Sequence, residues 1–369
     1  MANNTARLGD LATYINGYAF KPADWGDTGL PIIRIQDLTG NSYQLNRYDG
    51  EYPERIEVND GDVLISWSAS LGVYIWHRSK ALLNQHIFKV VFDKLPINKD
   101  YFVFAVEHKL AEMESKTHGA TMKHIVKKDF DGTIIPYPSI EKQAIIAEHL
   151  RRITNLIDRQ TEQLLLLDQL VKSRFIELFG DPVRNSMGLP TEPMTTVCEI
   201  IDGDRGKNYP KQDEFSDTGY CLFLNAKNVT ATGFSFENRM FITKEKDNAL
   251  HNGKLERGDV VLTTRGTLGN LAFYDDSVPF ENVRINSGMV ILRMNKSVMT
   301  EVFFMEQFKL QLQSIKGKIA SGSAQPQLPI STMNKIRILL APMALQEQFA
   351  AFVEQTDKSK LCGKMEVAA

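Results

Sequence analysis

The longest regular run of apolar positions begins at Ile146. Leu150, Ile153, Ile157, Leu164, Leu167, Val171 and Leu178 follow it in alternating steps of four and three, once the polar positions Gln160 and Arg174 are counted in. That spacing predicts a helix presenting a coiled-coil seam, with Gln160 either fixing register or facing water at the edge. At 1.5 Å per residue such a helix spans about 50 Å. It reads as a spacer between two modules, or alternatively as the core helix of one large domain. Behind it Gly180, Pro182, Gly188 and Pro190 break the period and mark a linker.

The rest of the chain consists of short apolar and β-branched runs between polar turns, and these come twice. GDVLISWSASLG begins at Gly61 and GDVVLTTRGTLG at Gly258, an offset of 258 − 61 = 197. LPIIRIQDL near residue 30 is echoed by CLFLNAKNV near residue 221, both reading as strands that run into a polar turn. HGATMKHI, with Gly119, faces SGSAQPQL, with Gly322, at 322 − 119 = 203, and YPSIEKQAIIAEHL is answered by APMALQEQFAAFVE. The echoes keep one order in both halves, which identifies an internal repeat. Gly61, Asp62, Gly258 and Asp259 read as framework positions. The residues that follow differ in chemistry: Ser66, Trp67 and Ser68 against Thr263, Thr264 and Arg265. A shared scaffold with divergent polar positions suits two readers of different sequences.

Composition narrows the class. A chain of 369 residues, 43% hydrophobic and 24% charged, is globular and long enough for two or more domains. MANNTARLGD carries no leader pattern and no stretch approaches the roughly 18 apolar residues of a membrane span, so a cytoplasmic protein is expected. Cys198, Cys221 and Cys362 lack CxxC spacing and read as reduced thiols, and the seven histidines show no metal-ligand spacing. A formal charge of −2 is not that of a simple nucleic-acid binder, so any contact with DNA must be local. Two acid-free windows supply local cations. Between Glu114 and Asp129 stand Lys116, His118, Lys123, His124, Lys127 and Lys128; between Glu306 and Glu347 stand Lys309, Lys316, Lys318, Lys335 and Arg337. Such clusters bind phosphate, although each could also be a solvated helix face.

Base reading requires forked or amide groups on the same surface, Arg for guanine and Asn or Gln for adenine. In the first half the candidates are Arg34, Gln36, Trp67, Ser68, Ser70, His77, Arg78, Asn84, Gln85 and His86. In the second they are Asn225, Lys227, Arg265, Thr267, Asn282, Arg284, Asn286, Ser321, Ser323, Gln325 and Gln327. The chain has no GxGxxG after a strand, no P-loop, no HExxH and no NPPY-like tetrapeptide, which places catalysis, and any cofactor, outside it.

From RLGDLATYINGYAF to FVEQTDKSK the chain resembles the specificity subunits of type I restriction-modification systems. The most specific pieces are SRFIELFGDPVRN, the paired GDVLIS and GDVVLT runs, and the PSIEKQ and LQEQF helix starts. The resemblance implies a mixed α/β (α+β) fold of two similar target-recognition domains joined by long coiled-coil helices in a pseudo-two-fold repeat. The expected parts are a first recognition domain at 1–138, a central helix at 139–180, a linker at 181–193, a second recognition domain at 194–342 and a distal helix at 343–369. It further implies that the two helices pack antiparallel, that each domain reads half of a bipartite site on double-stranded DNA, and that the chain is non-catalytic. Modification subunits would carry S-adenosylmethionine, and restriction or motor subunits ATP and magnesium. Phe349 and Val353 would continue the seam in the distal helix, which departs from the pattern by stopping early in LCGKMEVAA and reads as truncated. A self-sufficient DNA methyltransferase or endonuclease, and a structural coiled-coil protein without DNA affinity, are the alternatives.

Overall fold

Val63–Ser66 is buried at every position because its alternating side chains serve two different cores. Val63 and Ile65 point into one with Phe88, Val90, Phe102 and Val106, while Leu64 points into the other with Ile32, Leu82 and Ile87. A strand covered on both faces reads as an uninterrupted apolar run instead of an alternation. The same holds for Asp259–Thr263, where Val260 and Leu262 face one core and Val261 the other. These observations come from a computed structural model that describes residues 5–40, 45–116, 125–320 and 327–368, with side chains described except at 114–116, 318–320 and 362–368. The chain divides into two units, Met1–Asp158 and Arg159–Ala369.

In the first unit, Thr13–Asn16, Ile87–Val91, Val63–Ser66 and Gly72–Ile75 form one antiparallel sheet in that order. A second sheet runs Arg47–Tyr48, Leu30–Ile33, Ala81–Leu83, Glu57–Val58, with Ile32 and Leu82 paired in parallel. The helix Lys99–Lys116 covers the first sheet, and a ladder between Thr5–Arg7 and Ile134–Pro136 closes the unit. The second unit repeats this plan. Cys198–Asp202, Met289–Met294, Asp259–Thr263 and Leu271–Tyr274 make its antiparallel sheet, and Phe241–Ile242, Cys221–Leu224 and Val283–Ile285 its mixed one. Here the fourth strand is reduced to a single bridge, Lys254 to Arg284. The closing ladder joins Thr191–Pro193 to Arg337–Leu339, so the last residues expected as linker are a strand. The fold is a mixed α/β duplication, as the repeat requires.

The central helix runs Ile140–Phe179 and the distal helix Met343–Ala368. Each begins on an equivalent buried glutamine. Gln143 Oε1 accepts from Asn98 N at 2.9 Å and its Nε2 donates to Pro138 O at 2.8 Å. Gln346 Oε1 accepts from Thr300 N at 2.9 Å and its Nε2 donates to Ala341 O at 2.8 Å and Val298 O at 3.0 Å. In both units one amide ties the start of a long helix to the start of the helix that covers the sheet. The central helix ends where Gly180 adopts φ +77°, a left-handed conformation in which a Cβ would lie 2.6 Å from Ser186 Oγ.

The helices pack antiparallel within the second unit. Phe349 meets Phe175 and Phe179 at ring separations of 5.5 and 5.6 Å, while Lys360, further along, pairs with Asp168 at 2.7 Å. The seam read from the heptads differs from the contacts. Val171, Phe349 and Val353 are buried and Leu164, Leu167 and Leu178 half-buried, but the packed stripe is Val171, Phe175 and Phe179. Ile146, Leu150, Ile153 and Ile157 are 38, 36, 52 and 45% exposed, because this part of the helix buries its Gln143–Ala147 stripe against the first unit instead. The distal helix also continues through LCGKMEVA rather than stopping there, since Leu, Lys, Met, Glu and Ala all favour helix. Among the described residues no helix is long and apolar enough to cross a membrane.

Candidate nucleic-acid interface

Each unit ends in the same loop. A hydroxyl at the end of the inner strand clamps the hairpin: Ser66 Oγ donates to Ser70 O, and Thr263 Oγ1 to Thr267 O, both at 2.5 Å. Between them the chain turns left-handed, at Ala69 with φ +59° and at Gly266 with φ +71°. The loop is pinned to the neighbouring connection by Trp67 N donating to His86 O at 3.2 Å, and by Thr264 N donating to Gly288 O at 2.8 Å. The chain emerging from each basic window returns to it, with Ile125 N donating to Trp67 O at 3.0 Å and Leu328 N to Thr264 O at 3.1 Å. The clamp, the left-handed turn and these two pairs of backbone bonds thus recur in both units, while the side chains differ.

In the second unit the loop carries Arg265 and Thr267, both exposed. Thr267 Oγ1 donates to Ala226 O at 3.5 Å, which sets the exposed Lys227 beside it. Lys316 crosses Gly269 so closely that a Cβ there would lie 2.3 Å from its Cε. Gln327 forms a β-bridge with Arg265. Arg205, absent from the candidates drawn from sequence, joins the group: Asp202 holds it at 3.0 Å, and with Arg265 and Gln327 it lines a cavity of about 250 Å³. Its only signal was position, since DGDRG occupies the place of NGYAF in the repeat. Lys227, Arg265 and Lys316 thus stand together with Arg205, which Asp202 engages, in a chain of net charge −2.

The first unit is built from different groups. Trp67 stacks on Phe88 at 5.6 Å, meets His86 edge-on at 4.9 Å and donates Nε1 to Asn16 Oδ1 at 3.3 Å. Ser68 and Ser70 flank it. Arg34 and Gln36 lie at the same end, because Asn84 N donates to Ile33 O; Arg34 also pairs with Asp37 at 3.2 Å and lies over the Trp25 ring. His86 is held at φ +71°, and its Nδ1 and the Asn84 Oδ1 are buried without a hydrogen-bond partner among the described residues. Strain and unsatisfied polar atoms concentrated on one loop are a mark of functional sites.

Two candidates leave the group. Arg284 is 5% exposed, its guanidinium engaged by Asp247 and the carbonyls of Asp247, Leu250 and Asn252, so it supports the sheet and is not available to DNA. Arg78 follows the far end of Gly72–Ile75, opposite the loop, and lies over Trp76. The side chains of Lys116 and Lys318, and His118, Lys123, His124, Ser321, Ser323 and Gln325 altogether, lie outside the described residues. Lys127 pairs with Asp131 at 2.9 Å. Asp204, next to Arg205, is shifted upward by burial but more strongly downward by N–H donors including Gly206 and His251, so it ionises below the ordinary carboxylate range. Among the described residues no group of three or more His, Cys, Asp or Glu is arranged to hold a metal.

A family model described as the type I restriction modification DNA specificity domain matches residues 3–167 and 194–363. The chain is 30% identical over 315 residues to the type I restriction enzyme EcoBI specificity subunit of Escherichia coli, covering 78% of this chain and 64% of that protein, just under two thirds of its length. It is 26% identical over 376 residues to the MjaVIII specificity subunit of Methanocaldococcus jannaschii, covering 95% and 85%. The type I restriction-modification S subunit from M. genitalium has a similar fold, with TM-score 0.59 at 15% identity over 99% of this chain and 92% of that one.

Proposed function

Since the chain belongs to the type I restriction-modification DNA specificity family, we propose that it is the subunit that chooses the DNA sequence on which such a complex acts. The observation that carries this reading is the duplicated loop. Two similar backbone frames present different side chains, Trp67, Ser68 and Ser70 in one unit and Arg265, Thr267 and Gln327 in the other. Two different readers on one chain suit a target of two unlike halves separated by a gap. Lys227 and Lys316 contact phosphate and set register, which conveys no sequence by itself; the loop residues contact base edges in the groove.

On this reading the chain performs no chemistry. Modification subunits bind S-adenosylmethionine and receive the target adenine once it is flipped from the stack, while restriction and motor subunits use ATP and magnesium in the cytoplasm. This chain supplies the register that presents the right adenine. Mapping methylated adenines in the host genome with and without the gene tests the proposal. A two-part motif that disappears with the gene is expected; unchanged methylation overturns it.

A further inference from the structure

Most arginines around the second sheet are engaged by the protein itself. Arg205 pairs with Asp202, Arg257 bonds the carbonyl of Val278, Arg284 pairs with Asp247, Arg293 with Asp259, and Arg337 bonds Thr191. Arg265 has an exposed guanidinium without a hydrogen bond or ion pair among the described residues, and it alone stands on the clamped hairpin loop. Its backbone, in contrast, is fixed from both sides. Its N–H donates to Gly288 O at 3.2 Å, and it is bridged to Gln327 on the strand side. Thr264, immediately before it, is locked by Oγ1 donating to Gly288 O at 3.0 Å. A lysine-like tether to phosphate needs no such frame, because a point charge tolerates a range of positions. A forked donor that must meet two acceptors of one base does need it.

We propose that Arg265 selects a guanine in the half-site contacted by the second unit, an inference that rests on the DNA-reading role proposed above. The fork donates to guanine O6 and N7 in the major groove. Gln327, across the bridge and therefore about 5 Å away between Cα atoms, faces the neighbouring base pair. Lys227 and Lys316 flank the loop and hold the phosphates. The first unit has Ser68 at the equivalent place, since 265 − 68 = 197 is the offset of the repeat. Guanine selection of this kind is consequently a property of the second half-site only.

The test uses the full chain in complex with its modification subunits, challenged with a library of duplexes randomised at every position. Wild type, Arg265→Ser and Arg265→Lys are compared by sequencing the bound fraction. The wild-type consensus is expected to contain a guanine that Arg265→Ser abandons, with discrimination at that pair falling about tenfold or more and the other half-site unchanged. Arg265→Lys is expected to keep total binding but lose the same preference. An unchanged consensus for Arg265→Ser, or full retention of the guanine by Arg265→Lys, overturns the inference while leaving the DNA-reading role standing. Failure of the wild-type complex to select any two-part consensus overturns both.

Discussion

Arg284 Nε lies 2.5 Å from Asp247 Oδ1, an ion pair between residues 37 apart in sequence whose side chains are 6% and 1% exposed. Lys254 Nζ reaches the other carboxylate oxygen, also at 2.5 Å. Removing one member of such a pair leaves a buried charge without compensation. Asp247→Ala is therefore expected to destabilise the second unit by about 3–5 kcal/mol, whereas Asp247→Ala combined with Arg284→Met should recover a large part of that loss. Urea unfolding of the wild type and these two variants measures it. Equal midpoints for the single and double variants would show that the pair is not coupled.

Acid should weaken the same unit. Burial shifts Asp247 upward, but Lys254 and Arg284 more than offset this and hold it below the ordinary range, as the N–H donors do for Asp204. A carboxylate whose folded pKa is depressed contributes stability that is complete above its unfolded value, about 3.9, and that is lost as pH falls through the folded value. Urea midpoints are thus expected to be flat from pH 7 to about 5 and to fall below about 4. Asp204→Asn should make that fall shallower. A fall of wild-type steepness in Asp204→Asn would remove Asp204 from the explanation.

The glutamines that begin the two long helices should be interchangeable in their energetic effect. Gln143 and Gln346 are 1% and 0% exposed and hold equivalent backbone groups. Replacing either with Ala leaves buried donors and acceptors unsatisfied, at a cost of about 1–3 kcal/mol each. Thermal melts of Gln143→Ala and Gln346→Ala should show comparable losses. A loss confined to one of them would mean that the repeat does not extend to this bond.

Helix packing separates two classes of apolar residue that the heptads treat alike. Phe349 is fully buried among Phe175, Phe179 and other side chains, so Phe349→Ala should cost about 3–5 kcal/mol. Ile153 is 52% exposed, and Ile153→Glu should change the stability of the chain by no more than about 0.5 kcal/mol. Denaturant titration of both decides it; a large loss for Ile153→Glu would place that residue in a packed seam.

Much of the architecture was legible because it depends on local pattern. The GDVLIS and GDVVLT runs announced inner strands, and their offset announced two similar units. The central helix followed from its period, which was read from Ile146 to Leu178 and lies within the observed Ile140–Phe179. What escaped depends on contacts between distant segments. Arg284 looked like a surface reader because its acid partner stands 37 residues earlier. Ile146 to Ile157 carry a sound heptad but face outward, since the stripe through Gln143 and Ala147 takes the contact. Arg205 was missed because only the fold brings it to the Arg265 loop.

Phosphate contacts and base contacts should separate in solution. Lys227→Ala and Lys316→Ala are expected to weaken binding by a similar factor on every duplex, each lowering the salt slope by about one. Gel shifts from 50 to 300 mM salt on a target and a scrambled duplex check this. A loss limited to the target would make these lysines readers of sequence.

The most direct measurement of the central claim is an exchange of one reader. Residues 194–341, which carry the Arg265 loop, are replaced by the corresponding segment of another specificity subunit, and the methylated adenines of the host genome are mapped. If each unit reads its own half of the target, one half of the motif changes to that of the donor and the other stays as it was. A motif in which both halves change, or neither does, would contradict it.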